Sequence, residues 1–243
     1  MKKINTYTLL ILFVLFQSAY VYSDEFTLSA KFGPIKKIIY KFSYEMDIVD
    51  NDYNLKFNLS SQDNLVEFLT DKTYGEGFSR GEIDKKEFLA KSYEYIEQKE
   101  SSLKKYSIDF NDPNNIKGAR IPSYDKSKLT PIDSNMLIDV FDPALIFYKL
   151  ANFMDLKNCN KNFRIYDAKR RFDLIITKIS EDTNSFKCLI TTKKIGGYKI
   201  KDKINPLEIP YEMIVEFKYI NGNLRMTSIE GKNSVLNIIV ERI

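Results

Sequence analysis

The chain has 243 residues, with 37 Lys and Arg against 33 Asp and Glu, two Cys, no His and no Trp. The missing His excludes every Ser-His-Asp or Cys-His catalytic unit and every His-ligated metal site, and a net charge of +4 leaves no footprint for nucleic acid. With 44% apolar and 29% charged residues the composition is that of a folded globular domain, neither disordered nor polytopic.

The first 23 residues read as a secretory signal peptide. Lys2 and Lys3 precede an apolar run over residues 7–16, and Val21-Tyr22-Ser23 places small residues before a cleavage point after Ser23. A transmembrane anchor needs about 20 apolar residues, and Gln17-Ser18 interrupts this run. Residues 24–243 then form one envelope domain, with a net charge of +2 once both lysines are gone.

Period-two alternation dominates the chain beyond the leader. Ile38, Tyr40, Phe42, Tyr44, Met46 and Ile48 share one face of a strand, and Lys41, Ser43, Glu45 and Asp47 share the other. Asp50-Asn51-Asp52 turns the chain, and Tyr53, Leu55, Phe57 and Leu59 continue the pattern. Residues 64–70 are a short helix candidate. Gly75-Glu76-Gly77 reads as strand or turn glycines, without a phosphate-loop lysine. Residues 85–105 are rich in helix formers, yet Tyr93 and Tyr95 alternate with charged residues and favour strands. Tyr106, Ile108 and Phe110 alternate again before Pro113.

Asp142 is a suitable N-cap and Pro143 a suitable first helical residue, so residues 144–154 form the main helix. Lys149, Asn152 and Asp155 mark its polar side; Ile146, Phe147, Leu150, Phe153 and Met154 mark its apolar face. Phe163 and Ile165, then Phe172 and Leu174, flank a charged hairpin tip, Asp167-Ala168-Lys169-Arg170. Asp167 can accept from the turn amides, and Arg171 and Asp173 share the wet face of the second strand. Export puts Cys159 and Cys188 in an oxidising compartment, where a pair bonds; the loop of about 30 residues is worth roughly 3.5 kcal/mol. Phe186, Cys188 and Ile190 alternate, as do Tyr211, Met213, Val215, Phe217 and Tyr219. Asn221-Gly222 suits a type I′ turn, and strands from Leu224 and over residues 235–240 close the chain.

About ten strands joined by short turns cannot stay flat and open. The expected fold is mainly β (α+β), a strongly curved antiparallel sheet or partial barrel wrapped around one main helix.

The residues from Asp142 to Tyr198 also carry a family resemblance. An Asp142-Pro143 helix start is followed by Cys159, by Arg164-Ile165-Tyr166-Asp167-Ala168-Lys169-Arg170-Arg171-Phe172-Asp173-Leu174, by Cys188 and by Gly196-Gly197-Tyr198. This order resembles the exported bacterial proteins of domain-of-unknown-function family 3108, in which Gly usually stands at the place of Ala168. The resemblance implies the periplasm of a Gram-negative bacterium, with no established activity, and by analogy of fold a likeness to periplasmic carriers of lipoproteins and lipids.

These readings converge on a non-catalytic binding or carrier protein for a hydrophobic envelope ligand, a lipid or lipoprotein. Sixteen Tyr and seventeen Phe with one amphipathic helix leave room for an apolar groove in the concave side. The expected ligand-binding residues are Phe147, Leu150 and Phe153 for the apolar part and Lys169, Arg170 and Arg171 for an anionic head group. The first alternative is an envelope assembly protein offering a sheet edge or patch to a protein partner. The second is a carboxylate- or serine-dependent hydrolase, for which the Ser-x-x-Lys spacings at Ser101, Ser102 and Ser123 lack accompanying motifs. No catalytic residue, cofactor, metal or nucleic-acid partner is expected.

Overall fold

The computed structural model describes residues 20–32, 35–62, 72–153, 159–199, 212–232 and 237–243. The apolar leader up to residue 19, the helix candidate at residues 64–70, and Met154 and Asp155 lie outside the described residues.

Among the described residues the first half of the chain forms seven strands: β1 (Tyr20–Phe32), β2 (Ile35–Val49), β3 (Asp52–Ser61), β4 (Thr73–Asp84), β5 (Glu87–Lys99), β6 (Leu103–Asp109) and β7 (Lys117–Ile121). The second half forms six: β8 (Lys161–Tyr166), β9 (Arg171–Glu181), β10 (Ser185–Gly196), β11 (Glu212–Ile220), β12 (Asn223–Lys232) and β13 (Asn237–Arg242). Between them lies one α-helix among the described residues, α1 (Pro143–Ala151). All strands join a single antiparallel sheet in the order β7-β6-β5-β4-β3-β2-β1-β13-β12-β11-β10-β9-β8. Each half is a meander, and the first strand pairs the last through Phe26 opposite Arg242.

Local sequence explains most of these elements. In β2 the apolar alternation holds from Tyr40 to Ile48, with Tyr44 and Met46 buried. Ile38 departs from it: a bulge at Leu28/Ser29 shifts the register, so Ile38 is exposed and Ile39 is buried. The ambiguous stretch 85–105 is strand, in β5 and β6. Asn221 and Gly222 both have positive φ, 51° and 78°, as a type I′ turn requires. Tyr20–Ser23, the last residues of the predicted signal peptide, pair with Glu45–Ile48 as the first rungs of β1.

The sheet is curved, and its topology demands it. Thirteen strands laid flat at about 4.8 Å spacing would span roughly 58 Å. Yet its two outermost strands touch, because a Cβ added at Gly118 of β7 would collide with the Tyr166 hydroxyl of β8. No backbone ladder joins β7 to β8 among the described residues, so the sheet is not closed. The outer edge of β8 is instead met by Phe141, which bridges Ile165 just before α1.

The main helix differs from expectation in two respects. It ends at Ala151 rather than at residue 154, with Asn152 as its C-cap and Phe153 beyond at a φ of 52°. Its sequence pattern is two-sided, but Leu145, Ile146, Tyr148, Lys149, Leu150 and Ala151 are all buried, so it is buried almost all round. Lys149 leaves the predicted polar side because curved sheet lies there too; its ammonium sits 5.0 Å from the Phe141 ring centre and 5.5 Å from that of Phe88.

Candidate functional site

Two regions could carry function: the concave face that holds α1, and the seam where β7 meets β8. At the N-terminus of α1, Asp142 is fully buried. It accepts from the Leu145 amide (2.9 Å) and the Ser79 hydroxyl of β4 (2.7 Å), capping the helix and tying it to the sheet in one group. Burial pushes its carboxyl up to about 6, against the hydrogen bonds that favour the ionised form. At the C-terminus, Arg242 of β13 donates to the Ala151 carbonyl (2.7 Å) and the Met226 carbonyl (2.8 Å) and pairs with Asp24. Asn152 donates to the Tyr44 hydroxyl (2.9 Å), and Tyr44 donates to Asp24. Burial, and then that carboxylate, push the Tyr44 hydroxyl far above its ordinary range.

Aromatic rings fill the space between these ends. Phe147 meets Phe26 and Phe42 edge-on at 5.1 and 4.7 Å. Phe153 meets Phe217 and Phe186 of the opposite half at 4.7 and 5.5 Å. Of the three apolar residues expected to line a groove, Leu150 is buried, and Phe147 and Phe153 are partly buried against the core. Two depressions, of about 460 and 470 Å³, lie towards the β2–β5 end, and neither is lined by a residue of α1.

The seam is built by the charged hairpin between β8 and β9. Asp167 accepts from the Lys169 and Arg170 amides (3.0 and 2.6 Å) and from Arg170 Nε (2.7 Å), so the tip folds around one carboxylate. Ala168 takes φ of 69° there, in the left-handed region that suits the glycine of the resembled family. The hairpin packs on the Gly196-Gly197-Tyr198 turn, where a Cβ at Gly197 would collide with the Lys169 carbonyl. The motif residues widely spaced in sequence therefore meet.

The three basic residues of this tip do not act alike. Arg171 is buried, 2% exposed, rather than on a wet face. Its guanidinium donates to the Asp173 carboxylate (2.6 Å), the Phe172 carbonyl (2.6 Å) and the Met136 carbonyl (2.8 Å). The segment before α1 covers that face of β9, and strand alternation could not foresee it. Arg170 is matched by Asp167. Lys169 has neither fate: its ammonium stands 5.9 Å from the Tyr124 ring centre, with no carboxylate in salt-bridge range among the described residues. Burial, and then Arg170 and Arg120, push it below the usual lysine range.

Arg120 of β7 approaches the same ring, its guanidinium 5.9 Å from Tyr124 and 5.5 Å from Tyr106. Its Nε is buried without a hydrogen-bond partner among the described residues. Sequence reading misses Arg120 and Tyr124 because they lie some 50 residues before the hairpin, on the opposite edge of the sheet. Curvature alone brings them there. Cys159 and Cys188 are both fully buried and joined in a disulfide, Cα–Cα 5.7 Å. It ties the chain leaving α1 to β10.

No family model matches the chain, and no curated protein matches it. Among solved structures it is similar to a β-barrel-like protein of domain of unknown function DUF1849 from Brucella abortus. The TM-score is 0.51 at 10% identity, covering 93% of this chain and 96% of that one. At that identity the likeness is one of fold.

Proposed function

We propose that this chain is an exported, non-catalytic binding or carrier protein of the bacterial periplasm whose ligand is a lipid or lipid-modified protein. In this reading the sheet is a partial barrel wrapped around α1, the signal peptide is removed after Ser23, and the region from Asp142 to Tyr198 belongs with family 3108. The observation that carries the reading is how α1 is seated. Polar bonds fasten its two ends, and Phe147 within it and Phe153 just beyond it meet the two halves of the sheet edge-on. Aromatic edges are adaptable contacts, and an acyl chain entering the concave side takes their place against Phe26, Phe42 and Phe217. The barrel-like fold of the Brucella protein is compatible with such a role.

Native mass spectrometry of gently purified periplasmic protein tests this, with bound lipid expected. Because the chain has no Trp, Phe147→Trp supplies a single reporter, whose emission should shift to the blue and rise when lipid is added. A clean mass with no lipid uptake removes the carrier reading. The closed concave face favours a second reading, an assembly protein without a small ligand. It is supported if one envelope protein co-purifies at stoichiometric levels while no lipid does.

A further inference from the structure

We propose that the seam between β7 and β8 holds a phosphate-type anion, bound by Arg120 and Lys169 with Tyr124 as the platform between them. The inference rests on the binding-protein reading for its lipid source and deepens it by naming the recognised group. Two cations from opposite edges of a thirteen-stranded sheet converge on one tyrosine ring, each 5.9 Å from its centre. Among the described residues neither has a carboxylate in salt-bridge range, and the Nε of Arg120 is buried without an acceptor. A buried N–H without a partner costs stability unless something accepts from it, so the site asks for an acceptor.

The neighbours define the charge of that acceptor. Among the described residues Asp167 is the carboxylate that acts on the cluster, and it is consumed by Arg170 and two turn amides. Lys199 adds a further positive field at Lys169, leaving an excess of positive charge. Burial, and then Asp167, keep the Tyr124 hydroxyl above its ordinary range, so at neutral pH it is a neutral donor. A guanidinium, an ammonium and a phenol together offer several N–H and O–H donors in different directions. That suits a phosphate, which presents several acceptor oxygens, better than a planar carboxylate, which one Arg fork already satisfies. A lipid head group and a free phosphorylated solute both present this chemistry, so the probes must separate the two.

The test uses the mature protein with inorganic phosphate, and separately with short-chain phosphatidylglycerol and phosphatidylcholine. NMR follows the Lys169 ammonium and the Tyr124 ring. Binding should raise the Lys169 pKa back towards its ordinary value and weaken with added salt. Arg120→Gln and Lys169→Gln should each weaken it about tenfold, whereas Lys178→Gln, a surface lysine paired with Glu181, should leave it unchanged. Phosphatidylglycerol bound more tightly than both phosphatidylcholine and inorganic phosphate identifies a lipid head group. Inorganic phosphate bound as well as phosphatidylglycerol identifies a soluble phosphorylated ligand and counts against the carrier reading while upholding the site. No response at Lys169 to any anion, or equal affinity in Arg120→Gln, overturns the inference. If lipid is still retained in native mass spectrometry in that case, the carrier reading survives without it.

Discussion

At its N-terminus α1 is held by a buried carboxylate that accepts from a serine hydroxyl and a backbone amide. At its C-terminus it is held by a guanidinium paired to a carboxylate and, a few residues on, by a disulfide. The first anchor consists of neutral donors around a group that burial makes reluctant to ionise. The second spreads a charge pair over two strands, with Asp24 and Arg242 still partly in contact with water. One end is therefore sensitive to pH and the other to redox state and to loss of charge.

Breaking the disulfide is expected to have the largest effect. Replacing Cys159 and Cys188 by Ser should lower the unfolding free energy by about 3.5 kcal/mol, measured by urea titration, and reductant should reproduce the loss in the unsubstituted protein. Equal stability with and without reductant would break the comparison at its C-terminal side.

The pH response of Asp142 comes next. Its folded pKa of about 6 lies above the unfolded value near 3.8. The folded state therefore binds its proton more tightly, and the stability this lends is complete below about pH 4 and lost as pH rises through 6. Asp142→Asn keeps a capping oxygen and removes that proton. The stability difference, unsubstituted minus variant, should fall by about 2–2.5 kcal/mol between pH 4 and pH 7; a difference flat with pH would show that burial does not govern this carboxyl.

Arg242→Leu should cost about 2–3 kcal/mol, because Asp24 and the carbonyls of Ala151 and Met226 lose their donor together. This loss should show no step near pH 6, which separates it from the Asp142 effect. The smallest effect belongs far from either anchor. Ala168→Gly trades about 1 kcal/mol of left-handed strain for a buried methyl worth about 0.8 kcal/mol, leaving stability within about 0.5 kcal/mol. Ala168→Val, β-branched at positive φ, should lose more than about 2 kcal/mol.

Alternation makes most strands legible, and Asp142-Pro143 marks the start of the helix. Strand β4 carries no such signal, for a physical reason. Its inner face is built of small residues rather than apolar ones: Gly75 and Gly77 stand where rings of Tyr95 and Phe57 need the room a Cβ would take. The helix pattern misplaces Lys149 because it reports one face and cannot foresee a sheet that encircles it. The same limit hides half of the seam. Lys169 is visible as part of a basic tip, but nothing local distinguishes it from Arg171, which turns inward to Asp173 and a distant carbonyl. Arg120 can be found only by knowing that the two ends of the sheet meet.

That meeting has a mechanical consequence. In a fully laddered barrel, strand number and stagger fix the girth. Here the join of β7 to β8 rests on Tyr166 lying over Gly118 and on side chains around Tyr124, and among the described residues no ladder between the two strands fixes the girth. Side-chain packing rather than hydrogen-bond register therefore sets how far the two edges overlap, and with it the space the sheet encloses.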